Sequence, residues 1–441
     1  ELIEIETRLL QWAEQPRESG VVAKVAAIDA VLALQRDLAD EQVAMVRAVC
    51  SSTEAIQPVV GRPGSGKTYA ASACVQAFVA SGTPVAGCAV SATAAAELES
   101  AVHFRHHTGR PAQTIASLLI DLEQRGDRLA PGTILLVDEA SMVGTRELAR
   151  LAAHVDAAGG CINLIGDPDQ HTSVDTGGVF KALAARQGSG LVRLVGNRRQ
   201  VDPAERAAID DYREGRIDVA LDRYDAAGKI VRQPTAREAY DALVQDWWAD
   251  RLAGSAAPML AGTNVARRAL NARARAMLKA EGVLTGEPLV AHGREFMIGD
   301  EVVARRNDRT LRAHGRSEFV KNGSTGWVVA VDVGRGEVVV EFASEGQITI
   351  PRGYLEAGHV EHGYARTTYG VQGATLDRAR YHPTDASRFE EGYVAVTRAT
   401  ERTLLYIVEG NLDIDDETGH HVVERPETGL PTLAEALARR R

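Results

Sequence analysis

The sequence predicts an α/β protein with two parallel-sheet domains and a small antiparallel β module inserted in the second. Three observations predict it. Up to about Asn197, short and nearly continuous apolar runs alternate with helical patterns, as strands buried on both faces do. After that point the same alternation restarts. Between 296 and 360 the pattern changes to short β-rich runs, partly alternating apolar and polar, between Gly-rich turns. The 441 residues have room for about three domains at roughly 150 residues each.

Residues 1–37 read as an amphipathic helical leader with a break at Gln15–Gly20. The first α/β domain, 38–196, has strands at Gln57–Gly61, Val85–Val90, Thr133–Glu139, Cys161–Asp167 and Leu191–Val195. The second takes 197–295 and 361–412, with helices at 203–226 and 236–252 and strands at 229–233, 258–262 and Thr403–Glu409. The insert, 296–360, carries Phe296–Arg305, Gly326–Val331, Glu337–Phe342 and Gln347–Ile350. A polar tail with one short helix fills 413–441. There is no internal repeat and no low-complexity segment.

Hydrophobic content of 45% and charged content of 25% are ordinary for a globular chain. No apolar run approaches the roughly 18 residues that span a bilayer, and no signal-peptide pattern opens the chain, so a cytoplasmic protein with no membrane partner is expected. A net charge of −10 excludes a generally basic surface but not a local basic channel. Cys50, Cys74, Cys88 and Cys161 lack metal-ligand spacing and read as buried, reduced thiols. The chain opens on Glu1, not Met, which suggests a piece of something longer.

Gly61-Arg62-Pro63-Gly64-Ser65-Gly66-Lys67-Thr68 follows a strand and precedes a helix, the context a P-loop requires. Its glycines let backbone N–H groups turn onto phosphates at a helix N-terminus. In that pattern Lys67 reaches the β/γ-phosphates of ATP and Thr68 ligates Mg²⁺. Leu135–Val137 is an apolar strand ending in two acids. Asp138 is expected to hold Mg²⁺ and Glu139 to activate the attacking water. Gly166-Asp167-Pro168-Asp169-Gln170 ends the next strand, where the Gln170 amide can sense the γ-phosphate. An apolar strand ending in acids is a weak signal alone. Seventy residues beyond Thr68, it is strong in combination.

Asp138-Glu139-Ala140-Ser141 with Gly166-Asp167-x-x-Gln170 resembles a superfamily-one helicase of the B type. The likeness is to RecD-like proteins and to the helicase half of TraI/TrwC-like conjugative relaxases. Leu38-Ala39-Asp40-Glu41-Gln42 resembles the segment whose Gln, here Gln42, contacts adenine. Ser91-Ala92-Thr93-Ala94-Ala95 and Thr114-Ile115-Ala116-Ser117-Leu118-Leu119 resemble two single-strand contact motifs, implicating Ser91, Thr93 and Thr114. Asn197-Arg198-Arg199-Gln200 implies Arg199 as a γ-phosphate contact. Val320-Lys321-Asn322-Gly323 precedes the β insert's next strand, as in RecD-like proteins, implicating Lys321 and Asn322. Tyr364-Ala365-Arg366-Thr367 and Gln372-Gly373-Ala374-Thr375 resemble the late DNA-contact motif, implicating Tyr364, Thr367 and Gln372. Tyr393 to Ala399 resembles the last motif, whose Arg398 would be the arginine finger.

The resemblance covers about residues 38–410. It implies two RecA-like P-loop NTPase domains with an SH3-like β-barrel inserted in the second, and 5′→3′ helicase or translocase activity with ATP and Mg²⁺. The implied partners are single-stranded DNA, duplex junctions and, in conjugation, an upstream relaxase domain. Oligomeric state is not legible.

The chain departs from the pattern in places. Tyr369, Gly370 and Val371 precede Gln372 where a His, a Lys and a Ser are usual. His171 follows Gln170 where an apolar residue is usual. Only Ile120–Gly132 is available for a strand-splitting hairpin, too short for a long pin, which keeps a DNA-stimulated ATPase that translocates with weak or no unwinding as the alternative. Arg305, Arg306 and Arg309 fit either a solvated face or a DNA-facing edge. Trp247 and Trp248 are adjacent, at least one of them core. A P-loop phosphotransferase has no use for Arg398 or for Gly166–Gln170. A non-catalytic DNA-binding module has no use for Lys67 and Glu139.

Overall fold

A computed structural model describes residues 1–16, 22–173, 178–186, 191–315, 318–409 and 430–440. The expected leader break lies outside the described residues from 17 onward, as does the expected tail up to 429. The chain divides into two units, Glu1–Arg199 and Gln200–Arg441.

In the first unit the five apolar runs become β1 Ile56–Gly61, β2 Val85–Ala89, β4 Ile134–Asp138, β5 Cys161–Gly166 and β6 Val192–Leu194, and a two-residue β3, Gln113–Thr114, joins them without an apolar run to mark it. They form one sheet in the order β3-β2-β4-β5-β1-β6, and every pairing is parallel. Alternation along each strand feeds two cores. Val59, Ile134 and Leu136 pack with Met45, Val49, Cys74 and Phe78 on one face. Ile56, Val60, Leu135 and Val137 pack with Leu119, Leu151, Val155 and Phe180 on the other. The four cysteines are buried and unbridged. The Leu2–Ala13 helix lays Leu9, Leu10 and Ala13 into the second of these cores, and Trp12 Nε1 donates to Asp156 Oδ1 at 2.9 Å.

The second unit holds β7 Ile230–Gln233, β8 Met259–Ala261, β9 Thr285–Ala291, β10 Arg294–Ile298, β11 Glu301–Ala304, β12 Asp308–Arg312 and β13 Phe319–Val320. Then come β14 Thr325–Asp332, β15 Glu337–Phe342, β16 Gly346–Ile350, β17 Val360–His362, β18 Ala365–Thr367, β19 Leu376–His382 and β20 Ala399–Val408. Five of these form a second parallel sheet, β18-β8-β19-β20-β7. One face packs Tyr212, Leu221, Tyr393 and Leu437; the other packs Leu243, Trp247, Leu270 and Leu278.

The antiparallel module is a five-stranded sheet, β16-β15-β14-β11-β17, with the ribbons β9–β10 and β12–β13. Its core holds Phe296, Val302, Val328, Val340, Phe342 and Ile348. Leu289 and Ala291 belong to the same core, so the β structure starts at Thr285, ahead of the expected 296. The β9–β10 hairpin turns on His292 (φ 49°) and Gly293 (φ 69°), a two-residue reversal with both φ positive.

Candidate nucleotide and nucleic-acid sites

β1 ends at Gly61 and the Lys67–Ser81 helix begins six residues later, so the intervening backbone must double back. Gly64 and Gly66 make that turn at φ 75° and 78°. Close approach also demands glycine here. A Cβ on Gly61 would meet the Lys67 side chain at 2.4 Å, one on Gly64 would meet Arg199 Cβ at 2.6 Å, and one on Gly66 would meet Gln42 Nε2 at 2.3 Å. Lys67 Nζ donates to Gly61 O at 2.8 Å and Arg62 O at 3.2 Å. Ser65 Oγ is buried and has no hydrogen-bond partner among the described residues, a donor aimed into the loop. The loop's build therefore fits a polyphosphate.

Two further segments brace it. Gln42 is buried on the Asp40–Ser51 helix, its Nε2 donating to Ser65 O and Gly66 O and its Oε1 accepting from Ala39 N. In this conformation the Gln42 amide holds the loop. From the other side, Arg198 N donates to Gly64 O at 2.8 Å, and Arg198 Nη1 reaches Ser65 O and Glu41 Oε1. Glu41 also accepts from Val195 N and Gly196 N. Burial works to raise the Glu41 pKa, but Arg198 and these N–H groups win and hold it below the usual range. The clamp stations Arg199 over Gly64. Sequence reasoning singled out neither Glu41 nor Arg198; their adjacency to Gln42 and Arg199 was the available signal.

The acids stand at the C-terminal end of β4. The sheet order puts β5 between β4 and β1, so the acids and the P-loop lie two strands apart, about 10 Å. That gap leaves space for a γ-phosphate and a water. Asp138 is buried; desolvation and the Glu139 charge push its pKa up to about 6, against the pull of Lys67. Glu139 sits at φ 51°, a left-handed conformation costly for a non-glycine residue and characteristic of functional sites. At the end of β5, a Cβ on Gly166 would lie 3.0 Å from Ser141 N, so the two motifs are in contact. Asp167 Oδ1 accepts from Asp169 N, and Gln170 is buried beside them. Lys67, Thr68, Asp138, Glu139, Gln170 and Arg199 thus share one rim of one sheet.

Of the expected strand contacts in this unit, Ser91 and Thr114 are N-caps of the Ala92–Val102 and Ile115–Gln124 helices, accepting from Ala94 N and Ser117 N. Ala89 and Thr114 are register partners in β2 and β3, so the two helix N-termini are neighbours. Thr93 is half-buried in the first turn. Residues 125–133 contain no strand, so no hairpin stands there.

In the second unit Thr367 ends β18 and its Oγ1 accepts from Gly370 N. Tyr369 is 37% exposed and Gln372 is buried. Tyr364 does not join them. It is fully buried, its hydroxyl donating to Asp300 Oδ1 at 2.6 Å. Trp247 is likewise core. Asn322 is exposed, whereas Lys321 lies 3.8 Å from the buried Glu345 carboxylate. Arg398 is buried between the Phe389–Val396 helix and β20, donating to Val394 O, Ala374 O and Thr397 Oγ1. Sequence reasoning missed Thr263, which caps the Asn264–Ala280 helix at the end of β8 as Ser91 and Thr114 cap theirs. The signal was a Thr-Asn after an apolar run.

Residues 37–235 match the family described as "AAA domain". The chain is 31% identical over 406 residues to the conjugal transfer protein TraA of Rhizobium radiobacter, covering 90% of this chain and 35% of that protein. It is 29% identical to the RecBCD enzyme subunit RecD of Mycolicibacterium smegmatis, covering 82% and 70%. It spans about a third of the length of the TraA relatives it matches. The fold is that of the Pif1 helicase from Bacteroides in complex with ADP-AlF3 and ssDNA (TM-score 0.52, 16% identity, 84% of this chain and 93% of that one). Pif1 helicase from Candida albicans gives a TM-score of 0.53 at 15% identity, covering 83% and 94%.

Sheet order and site define a nucleotide-using P-loop protein with a RecA-like domain. Within that class the chain is similar to RecD-like superfamily-one helicases and to the conjugation proteins TraA and TraI.

Proposed function

We propose that this chain is an ATP-dependent 5′→3′ DNA helicase or translocase that acts on single-stranded DNA in conjugative transfer, joined to an upstream relaxase domain. The carrying observation is the shared rim, where Lys67, Asp138, Glu139 and Gln170 stand together and Asn197–Arg199 is clamped over Gly64. In this reading Lys67 holds the β/γ-phosphates of ATP, and Thr68 and Asp138 hold Mg²⁺. The cation supplies charge neutralisation of the phosphates. Glu139 takes the proton of the attacking water, Gln170 senses the γ-phosphate, and Arg199 stabilises its transition-state charge. Gln42 meets adenine in the nucleotide-bound state. Arg398 serves as arginine finger, a role that rests on the family motif. Ser91, Thr93, Thr114, Thr367, Gln372, Lys321 and Asn322 line the strand, and the antiparallel module is an SH3-like barrel that guides it. The domain limits are those read from the sequence, with the β module extended back to Thr285.

The test is unwinding of fork duplexes carrying a 5′ or a 3′ single-stranded tail. Strand separation only with the 5′ tail is expected; separation with the 3′ tail alone overturns the polarity. The missing hairpin at 125–133 favours a second reading, a DNA-stimulated translocase with little unwinding. In that case a protein block on single-stranded DNA is displaced while the fork stays intact.

A further inference from the structure

At the root of the β module three arginines from separate elements converge on one carboxylate. Arg267 Nη1 lies 2.9 Å from Glu361 Oε2, Arg294 Nη2 lies 3.1 Å from Oε1, and Arg305 Nε lies 2.6 Å from Oε2. Arg267 is in the first turn of the Asn264–Ala280 helix, Arg294 starts β10, Arg305 follows β11, and Glu361 is on β17. Three guanidinium groups on one carboxylate leave a net positive charge at this point. Here the cationic excess is half-buried, with Arg267 8%, Arg294 26% and Arg305 34% exposed. Burying uncompensated charge is costly.

Two observations say the excess awaits an anion. Arg294 Nη1 is buried with no hydrogen-bond partner among the described residues. Burial, with the charges of Arg267 and Arg294, lowers the Arg305 pKa against the pull of Glu361. The cluster is also well placed. Asn264, which accepts from Arg267 Nε, directly follows Thr263 at the end of β8, and β8 pairs with β18 at Thr367.

We propose that Arg267, Arg294 and Arg305, gathered on Glu361, form a phosphate subsite of the single-strand track. This rests on the DNA-translocase reading. Guanidinium forks suit phosphate oxygens bidentately, and Glu361 keeps the three in place between phosphates and sets how tightly each is held. A carboxylate in the site favours release, which a moving protein needs.

Anisotropy of a labelled oligo-dT, titrated without nucleotide over a series of KCl concentrations, tests it. Arg294→Gln and Arg305→Gln should each weaken binding several-fold and make the slope of log K against log salt shallower by about 0.7 per lost contact. Arg305→Lys should keep the slope, and Glu361→Gln should tighten binding. DNA-free ATPase activity should be unchanged in all four. Unchanged affinity and slope in an Arg294→Gln/Arg305→Gln double variant that melts like the parent overturns the subsite. So does weaker binding by Glu361→Gln at an unchanged melting temperature. If the parent itself fails to bind oligo-dT, the translocase reading fails, and that outcome is distinct from loss of the subsite.

Discussion

At the residue scale the P-loop is held by contacts that tolerate no side chain. Gly66 combines φ 78° with a 2.3 Å approach to Gln42 Nε2. Gly66→Ala should cost about 1–2 kcal/mol in backbone strain and push Gln42 off the Ser65 and Gly66 carbonyls. A fluorescent-nucleotide titration should show Kd raised at least about tenfold, with single-strand binding spared. Adding Gln42→Ala restores room but neither the backbone conformation nor the proposed adenine contact, so it should not recover the nucleotide affinity. Asp138 gives a pH prediction. Its folded pKa of about 6 exceeds the ordinary 3.8, so the folded chain binds more protons than the unfolded one between those values. Stability is therefore lost as pH rises through that window and stays lower above it. Asp138→Asn should stabilise the nucleotide-free protein near pH 7.5 by on the order of 2 kcal/mol, and the advantage should vanish near pH 4. Thermal melts across pH decide it; a variant less stable than the parent at pH 7.5 contradicts the assignment. The site residues on short apolar strands were legible because glycine, lysine and acid spacing encodes them directly. Tyr364 was less so, because its sequence position beside the late motif carried no sign of its bond to Asp300.

At the element scale five of the first sheet's six strands could be read off apolar runs, whereas β19 could not. It lies between β8 and β20 in the second sheet, yet it reads Leu376-Asp377-Arg378-Ala379-Arg380-Tyr381-His382. Tertiary pairing explains the exception. Asp250 takes both Arg378, at 2.5 Å, and Arg380, and Arg378 Nε adds Glu401 at 3.2 Å. His382 is buried with Nδ1 on Tyr406 O, and burial pushes its pKa down to about 4, so it stays neutral. Asp250→Ala takes this carboxylate from the buried Arg380 and leaves Arg378 with Glu401 alone, and should destabilise the second unit by about 3 kcal/mol. Urea unfolding should show an earlier transition for that unit while nucleotide binding to the first is retained before it. An unchanged midpoint would mean that Arg380 is satisfied without Asp250. The start of the β module was misread for a different reason. β9 is mostly exposed, with only Leu289 and Ala291 buried along Thr285–Ala291, so it lacks the apolar run that marks the other strands.

At the scale of the whole molecule one P-loop, on the first unit, is the source of every proposed activity. Lys67→Ala should abolish turnover and leave oligo-dT binding near the parent value, because among the described residues the hydrogen bonds of Lys67 go to the P-loop carbonyls of Gly61 and Arg62. Arg199→Ala and Arg398→Ala should bind nucleotide near normally and lower kcat by about 10³ or more, as transition-state contacts do. Unchanged kcat in both would remove the arginine mechanism. The parallel-sheet architecture and the nucleotide motifs were legible in the sequence. The clamp of Glu41 and Arg198 on the P-loop was not, because it joins residues far apart in the chain. The central claim is that nucleic acid controls this P-loop. Steady-state ATP hydrolysis with and without saturating oligo-dT tests it most directly. The account predicts slow turnover alone and stimulation of about tenfold or more by the oligonucleotide, absent in Lys67→Ala; brisk turnover that is indifferent to single-stranded DNA would contradict it.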